Sequence, residues 1–176
     1  GKSILLRHLT IQSLNTPNGG TPLFVELRRM NERASKDLID FILFECTQKD
    51  KVVTRAQFDI ALRAGIFTFI LDGFDELEYE HRDDISRQII NLEKDYPKLK
   101  VIISSRPDND RFLSWSAFHV YRVNDFTPDQ VVELVRGLSY DEGVKERFLR
   151  KLQDELFETH GSFLKSPLLA TIMLLT

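Results

Sequence analysis

The run Phe69-Ile70-Leu71 passes directly into Asp72-Gly73-Phe74-Asp75-Glu76, so an apolar segment ends in three carboxylates within five residues. An apolar run of this length beside a glycine reads as a strand buried on both faces, and such strands belong to parallel sheets covered by helices. Acids that follow the strand stand at the carboxyl edge of the sheet, where open α/β sheets hold their ligands. Carboxylates in that position suit a hard cation, and with it a phosphate. One stretch thus points to an α/β fold with a parallel sheet and to the edge where its site lies.

At the amino end, Gly1-Lys2-Ser3 completes the pattern G-x-x-x-x-G-K-[ST], a loop that cradles phosphates. In that loop Lys reaches the β- and γ-phosphates and the hydroxyl ligates Mg²⁺. Gly1, Lys2 and Ser3 are therefore candidate nucleotide-binding residues. The chain starts inside the pattern, so the first strand and the first half of the loop are expected upstream, and the sequence reads as a segment of a longer protein. Alone, the tripeptide also fits a plain helix start with Ser3 near the cap. Followed about seventy residues later by the acidic strand end, it points to a nucleoside triphosphate held between the two.

A division of labour follows. Asp72, at the strand end, is placed to hold Mg²⁺ through water, while Ser3 offers a direct ligand. Gly73 leaves room beside the metal. Asp75 and Glu76 are candidates to orient or deprotonate the attacking water, although both also fit acids that start a helix. A second strand, Val101-Ile102-Ile103, ends in Ser104-Ser105-Arg106-Pro107, which brings Ser104, Ser105 and Arg106 to the same edge. Arg106 can grip a γ-phosphate bidentately; a pairing with Asp75 or Glu76 would leave it in the same cleft.

The rest of the chain is organised around these segments. Helices are expected over Ser3–Leu14, Lys36–Cys46, Thr54–Ala64 and Asp83–Glu93, and strands over Pro22–Leu27, Ile66–Leu71 and Val101–Ser104. Thr16-Pro17-Asn18-Gly19-Gly20 breaks the first helix, and Tyr96-Pro97-Lys98 turns the chain into the third strand. Val120–Val123 reads as a last strand. Beyond it, Pro128–Leu138 and Gly143–Phe157 read as helices with no strand between, so residues 1–124 are expected to form the core and 125–176 the start of a small helical subdomain. Trp115 with Phe112, Leu113 and Phe118 reads as a core cluster beneath the last strand, with a partner surface as the alternative. Lys145–Lys151 reads as a solvated basic face, and the four histidines show no ligand-like spacing.

Composition sets bounds. With 42% hydrophobic and 29% charged residues, 176 residues can bury a sizeable core. A net charge of −3 supplies no basic field for nucleic acid or acidic membranes. Cys46 has no second cysteine to pair with, which fits a reducing cytoplasm. Within this segment no signal-peptide pattern and no apolar run long enough to span a bilayer is read, which says nothing of the termini of the longer protein.

In this order, Gly1-Lys2-Ser3, Phe69-Ile70-Leu71-Asp72-Gly73-Phe74-Asp75-Glu76, Ile103-Ser104-Ser105-Arg106-Pro107 and Ser166-Pro167-Leu168-Leu169 resemble a NACHT domain, of the STAND branch of AAA+-like P-loop NTPases. Pro22-Leu23-Phe24-Val25-Glu26-Leu27-Arg28 is similar to the second strand of that family. The resemblance implies a switch that binds ATP or ADP with Mg²⁺ and couples exchange or slow hydrolysis to self-oligomerisation, in innate immune or anti-phage defence. It also implies sensor and effector domains outside this segment, and an adenine contact from Pro167, where Lys165 stands in a position often occupied by Gly. His160 is not the family's nucleotide-contacting histidine, which belongs to a winged-helix domain outside this chain. Two other classes stay open on the sequence: a fast mechanical P-loop ATPase, for which no basic track or pore loop is found, and a non-hydrolysing scaffold, against which the acids and Arg106 argue.

Overall fold

The computed structural model describes residues 1–16, 20–47, 53–107, 112 and 115–175, the side chains at 153 and 154 excepted. Pro17, Asn18 and Gly19 of the expected break, and Leu113 of the aromatic cluster, lie outside the described residues. The chain divides into two compact units, one over Lys2–Val120 and one over Tyr121–Thr176.

The first unit is built on three parallel strands, β1 (Thr21–Glu26), β2 (Phe67–Asp72) and β3 (Lys100–Ile103), with β2 in the middle. Phe69, Ile70 and Leu71 are all fully buried, as a central strand covered on both faces requires. Phe69 and Leu71 join the main core with Phe41, Leu62 and Ile89. Ile70 alternates to the other face, where α1 (Lys2–Leu14), with Leu6 buried, packs against β1 and β2. Between β1 and β2 come α2 (Leu38–Thr47) and α3 (Arg55–Ala64); between β2 and β3 comes α4 (Tyr79–Asp95). Local signals explain the ends of α3. Thr54 and Gln57 form a reciprocal capping box, and Gly65, in the left-handed region at φ 73°, closes the helix.

Expectations change for two elements. The α4 helix starts at Tyr79, not Asp83, because Tyr79, His81 and Arg82 carry no apolar period although the backbone there is already helical. Val120–Val123 is not a strand: its residues stand outside the sheet, with Val120 72% and Tyr121 87% exposed. β-propensity alone does not make a strand without an edge to pair with. The aromatic cluster is core all the same. Trp115 is buried, meets Phe74 edge-on at 5.4 Å, touches Phe112 and Phe118, and donates its indole N–H to Ser86 Oγ at 2.9 Å. It packs against the acidic turn and α4, not beneath a fourth strand.

The second unit is helical: α5 (Pro128–Gly137), α6 (Glu142–Lys151), a π-helical turn (Leu152–Leu156), α7 (Phe157–Leu164) and α8 (Pro167–Leu175). Thr127 caps α5 in a second capping box with Gln130, and Pro128 occupies the first turn. The single helix expected over Gly143–Phe157 is interrupted by the π turn. Val131, Val135, Phe148, Leu152 and Leu164 form this unit's own core.

Lys145 corrects the reading of a solvated basic face. It is buried, and its ammonium donates to the carbonyls of Arg136 (3.3 Å) and Leu138 (3.1 Å), satisfying the last turn of α5, while pairing with Glu142 at 2.7 Å. Arg147, Arg150 and Lys151 are exposed as expected. Lys145→Met keeps the stem but strands two carbonyls, and should cost about 1–3 kcal/mol. Chemical denaturation of this variant beside exposed Arg147→Met checks it, since the latter should change stability by no more than about 0.5 kcal/mol.

Candidate functional site

The carboxyl edge of the sheet brings together Asp72, Asp75, Ser104 and Arg106. Asp72 ends β2 and stands in register with Glu26, which ends β1. Asp72 is buried, 8% exposed, and its Oδ1 accepts a 2.5 Å hydrogen bond from Ser104 Oγ. Ser104 follows β3, where its N–H continues the ladder to Leu71 O at 2.9 Å. The same Oγ accepts from Gly73 N–H at 2.9 Å, and the Ser104 carbonyl accepts from Phe74 N–H at 2.9 Å. Ser104, expected beside the phosphates, is instead committed to Asp72 and to the turn after β2.

That turn needs glycine for its backbone. Gly73 has φ 77° and ψ 52°, a left-handed conformation that disfavours any residue with a Cβ. A Cβ there would also stand 3.1 Å from the Glu76 side chain. Room beside a metal is thus not the only reason for glycine. The turn carries Phe74–Glu76 as a short 3-10 segment, which sends Phe74 into the core and leaves the two acids at the edge.

Asp75 and Arg106 meet there. Asp75 accepts from the Arg106 backbone N–H at 2.8 Å and pairs with its guanidinium at 3.3 Å; the Asp75 side chain is 21% exposed and that of Arg106 81%. They line a cavity of about 290 Å³ with Phe74, Arg82, Ser105 and Pro107. Glu76 is exposed, and among the described residues no hydrogen bond holds its carboxylate.

Lys2 and Ser3 open α1. The Arg7–Glu26 ion pair (3.1 Å) fixes the amino half of that helix beside the carboxyl end of β1. With a rise of about 1.5 Å per residue, Lys2 lies about 7 Å further along the helix. The free N–H groups and positive dipole end of α1, at Lys2 and Ser3, are of the kind that binds phosphate. Glu26 itself is held below the ordinary carboxylate range by its hydrogen bond from Arg28, with Arg7 and Arg29 adding to this against a partial desolvation. Gly1 leaves open space around its Cα. Pro167, in the second unit, is the first residue of α8.

The donor set around Asp72 suits a hard cation. A buried carboxylate is costly without a partner, yet among the described residues no cationic side chain pairs with Asp72, whose recorded partner is a hydroxyl. Oxygen donors of this kind are what Mg²⁺ takes. Histidine also enters an acidic group that its spacing in the sequence does not show: His81 Nε2 lies 3.4 Å from Glu78 and 3.5 Å from Glu80 at the exposed start of α4.

Sequence reasoning passed over two residues of this edge. Asn31 and Arg82 bind the backbone of the acidic turn from either side; neither falls in a motif. No helix among the described residues is long and apolar enough to cross a membrane. Compared with known proteins, the chain matches the family model described as NACHT domain over residues 1–142. Curated proteins give no match.

Proposed function

Because this chain belongs to the NACHT domain family of nucleotide-binding P-loop NTPases, we propose that it is the switch domain of a defence or immune protein, binding ATP or ADP with Mg²⁺ and hydrolysing ATP slowly. The observation that carries this reading is the buried Asp72 at the carboxyl edge of the sheet, with no cationic partner among the described residues, in a chain whose α1 begins with Lys2-Ser3. On this reading residues 1–124 are the NTPase core and 125–176 the start of the helical subdomain. Its setting is the cytoplasm, where nucleotide state governs self-oligomerisation and the flanking sensor and effector domains supply trigger and output.

Each residue has a role in the proposal. Gly1 lets the backbone approach the phosphates, Lys2 donates to the terminal phosphates, and the α1 amino end adds N–H groups. Ser3 and Asp72 hold Mg²⁺, which neutralises charge on the phosphates. Glu76 takes a proton from the attacking water, Asp75 orients the site through Arg106, and Arg106 reports the γ-phosphate. By family resemblance alone, Pro167 is assigned to the adenine.

The test is nucleotide affinity of the protein with a complete G-x-x-x-x-G-K-S loop. Wild type should bind ATP in a Mg²⁺-dependent way. Lys2→Ala removes charge-assisted hydrogen bonds worth about 1.5–3 kcal/mol, so affinity should fall roughly 10- to 100-fold. Asp72→Ala should abolish the Mg²⁺ dependence. A wild type that binds no nucleotide would make the loop vestigial and the domain a protein-binding scaffold; rapid steady turnover would make it a motor.

A further inference from the structure

The acidic turn has little local support. Two bonds of its own hold the 3-10 segment, Glu76 N–H to Gly73 O at 2.9 Å and Leu77 N–H to Phe74 O at 3.3 Å. A single turn of this kind is weak by itself. The next four backbone groups are satisfied from outside. Arg82 donates from Nη2 to Asp75 O at 2.6 Å and from Nε to Leu77 O at 2.8 Å. Asn31 donates from Nδ2 to Glu76 O at 3.0 Å and accepts from Glu78 N–H at Oδ1, also at 3.0 Å.

The pattern alternates, one side chain taking the carbonyls of Asp75 and Leu77 and the other the carbonyl between them. Arg82 reaches the turn from α4, and Asn31 from the 3-10 segment Leu27–Glu32 that follows β1. A further contact steadies the second arm: Lys36 Nζ donates to the Met30 and Asn31 carbonyls at 2.8 and 3.0 Å. Met30 is buried, so the segment carrying Asn31 is anchored in the core.

We infer that Asn31 and Arg82 are positioning residues that clamp the backbone from Asp75 to Glu78 and so fix where the Asp75 and Glu76 carboxylates stand. The inference rests on the reading of that turn as the hydrolytic site. Neither residue need touch nucleotide. Their effect is on geometry, to which in-line attack by water is sensitive: a misplacement of about 1 Å can cost roughly 100-fold in rate. Arg82 acts through its planar fork, since two donors at fixed spacing reach two carbonyls; a lysine ammonium, a point charge on a flexible stem, does not reproduce this.

The experiment pairs backbone hydrogen exchange with single-turnover ATP hydrolysis on the full protein, comparing wild type, Asn31→Ala and Arg82→Lys. Both variants should speed exchange over residues 73–80, with the Glu78 amide most affected in Asn31→Ala. Hydrolysis per bound nucleotide should fall roughly 10- to 100-fold, while ATP affinity stays within about threefold of wild type. Unchanged exchange over 73–80 in both variants overturns the clamp, whatever happens to hydrolysis. Faster exchange with unchanged hydrolysis per bound nucleotide, or parallel losses of affinity, rate and melting temperature, overturns the positioning role. A wild type that binds but never hydrolyses ATP sinks the hydrolytic reading instead, and the exchange data then decide the clamp alone.

Discussion

Phe74→Ala should destabilise the first unit by about 3–5 kcal/mol, the range for removing a fully buried aromatic ring. Phe74 is 1% exposed and meets Trp115 edge-on at 5.4 Å and Phe112 at 6.0 Å. The edge-on pairs add to the area lost, and Trp115, held by its bond to Ser86, cannot collapse freely into the gap. For a chain of this size the melting temperature should drop by about 10 °C. Trp115 is the one tryptophan in the sequence, so its emission reports the site directly and should shift to the red as water reaches the ring. Thermal melts followed at Trp115 check this, with Tyr79→Ala, at an 80% exposed position, as the comparison. Equal melting of the two variants would show that the ring under the acidic turn is not a keystone of this core.

The same ring shows what the sequence could and could not disclose. Phe69-Ile70-Leu71 declares a buried central strand because an unbroken apolar run has few other solutions, and the acids after it can only fall at the carboxyl edge. Thr54 with Gln57, Gly65, and Thr127-Pro128 with Gln130 mark helix ends through local hydrogen bonds, so they are readable in short windows. What escaped depends on contacts across long separations. Asn31 grips backbone 45 and 47 residues away, and Ser104 serves Asp72 from 32; no periodicity encodes such a bond. Lys145 looked solvated because charge patterning cannot tell that the end of α5 lies beside it. Val120–Val123 failed for the opposite reason: its local propensity is real, but pairing is a property of the sheet.

Asp75 and Glu76, adjacent in sequence, stand in unlike surroundings, and that difference yields the sharpest functional expectation. Asp75 is engaged at both oxygens, one by the Arg106 N–H and the other by the guanidinium. With both oxygens turned to Arg106, that carboxylate is not free to receive an attacking water within hydrogen-bond reach. Glu76 is exposed at the turn, its side chain folded back toward Gly73. Removing a general base costs roughly 100- to 10,000-fold. Glu76→Gln should therefore abolish most hydrolysis while leaving ATP affinity near wild type, which would trap the protein with ATP. Asp75→Asn keeps an acceptor for the Arg106 N–H but loses the charge, so its rate should fall by less, at most about fivefold, the effect of losing one largely exposed ion pair worth about 0.2–1 kcal/mol. Single-turnover hydrolysis of prebound ATP separates the two. The reverse ranking would move the base to Asp75 and leave Glu76 as a solvated acid; equal, small losses in both would remove the turn from the chemistry altogether.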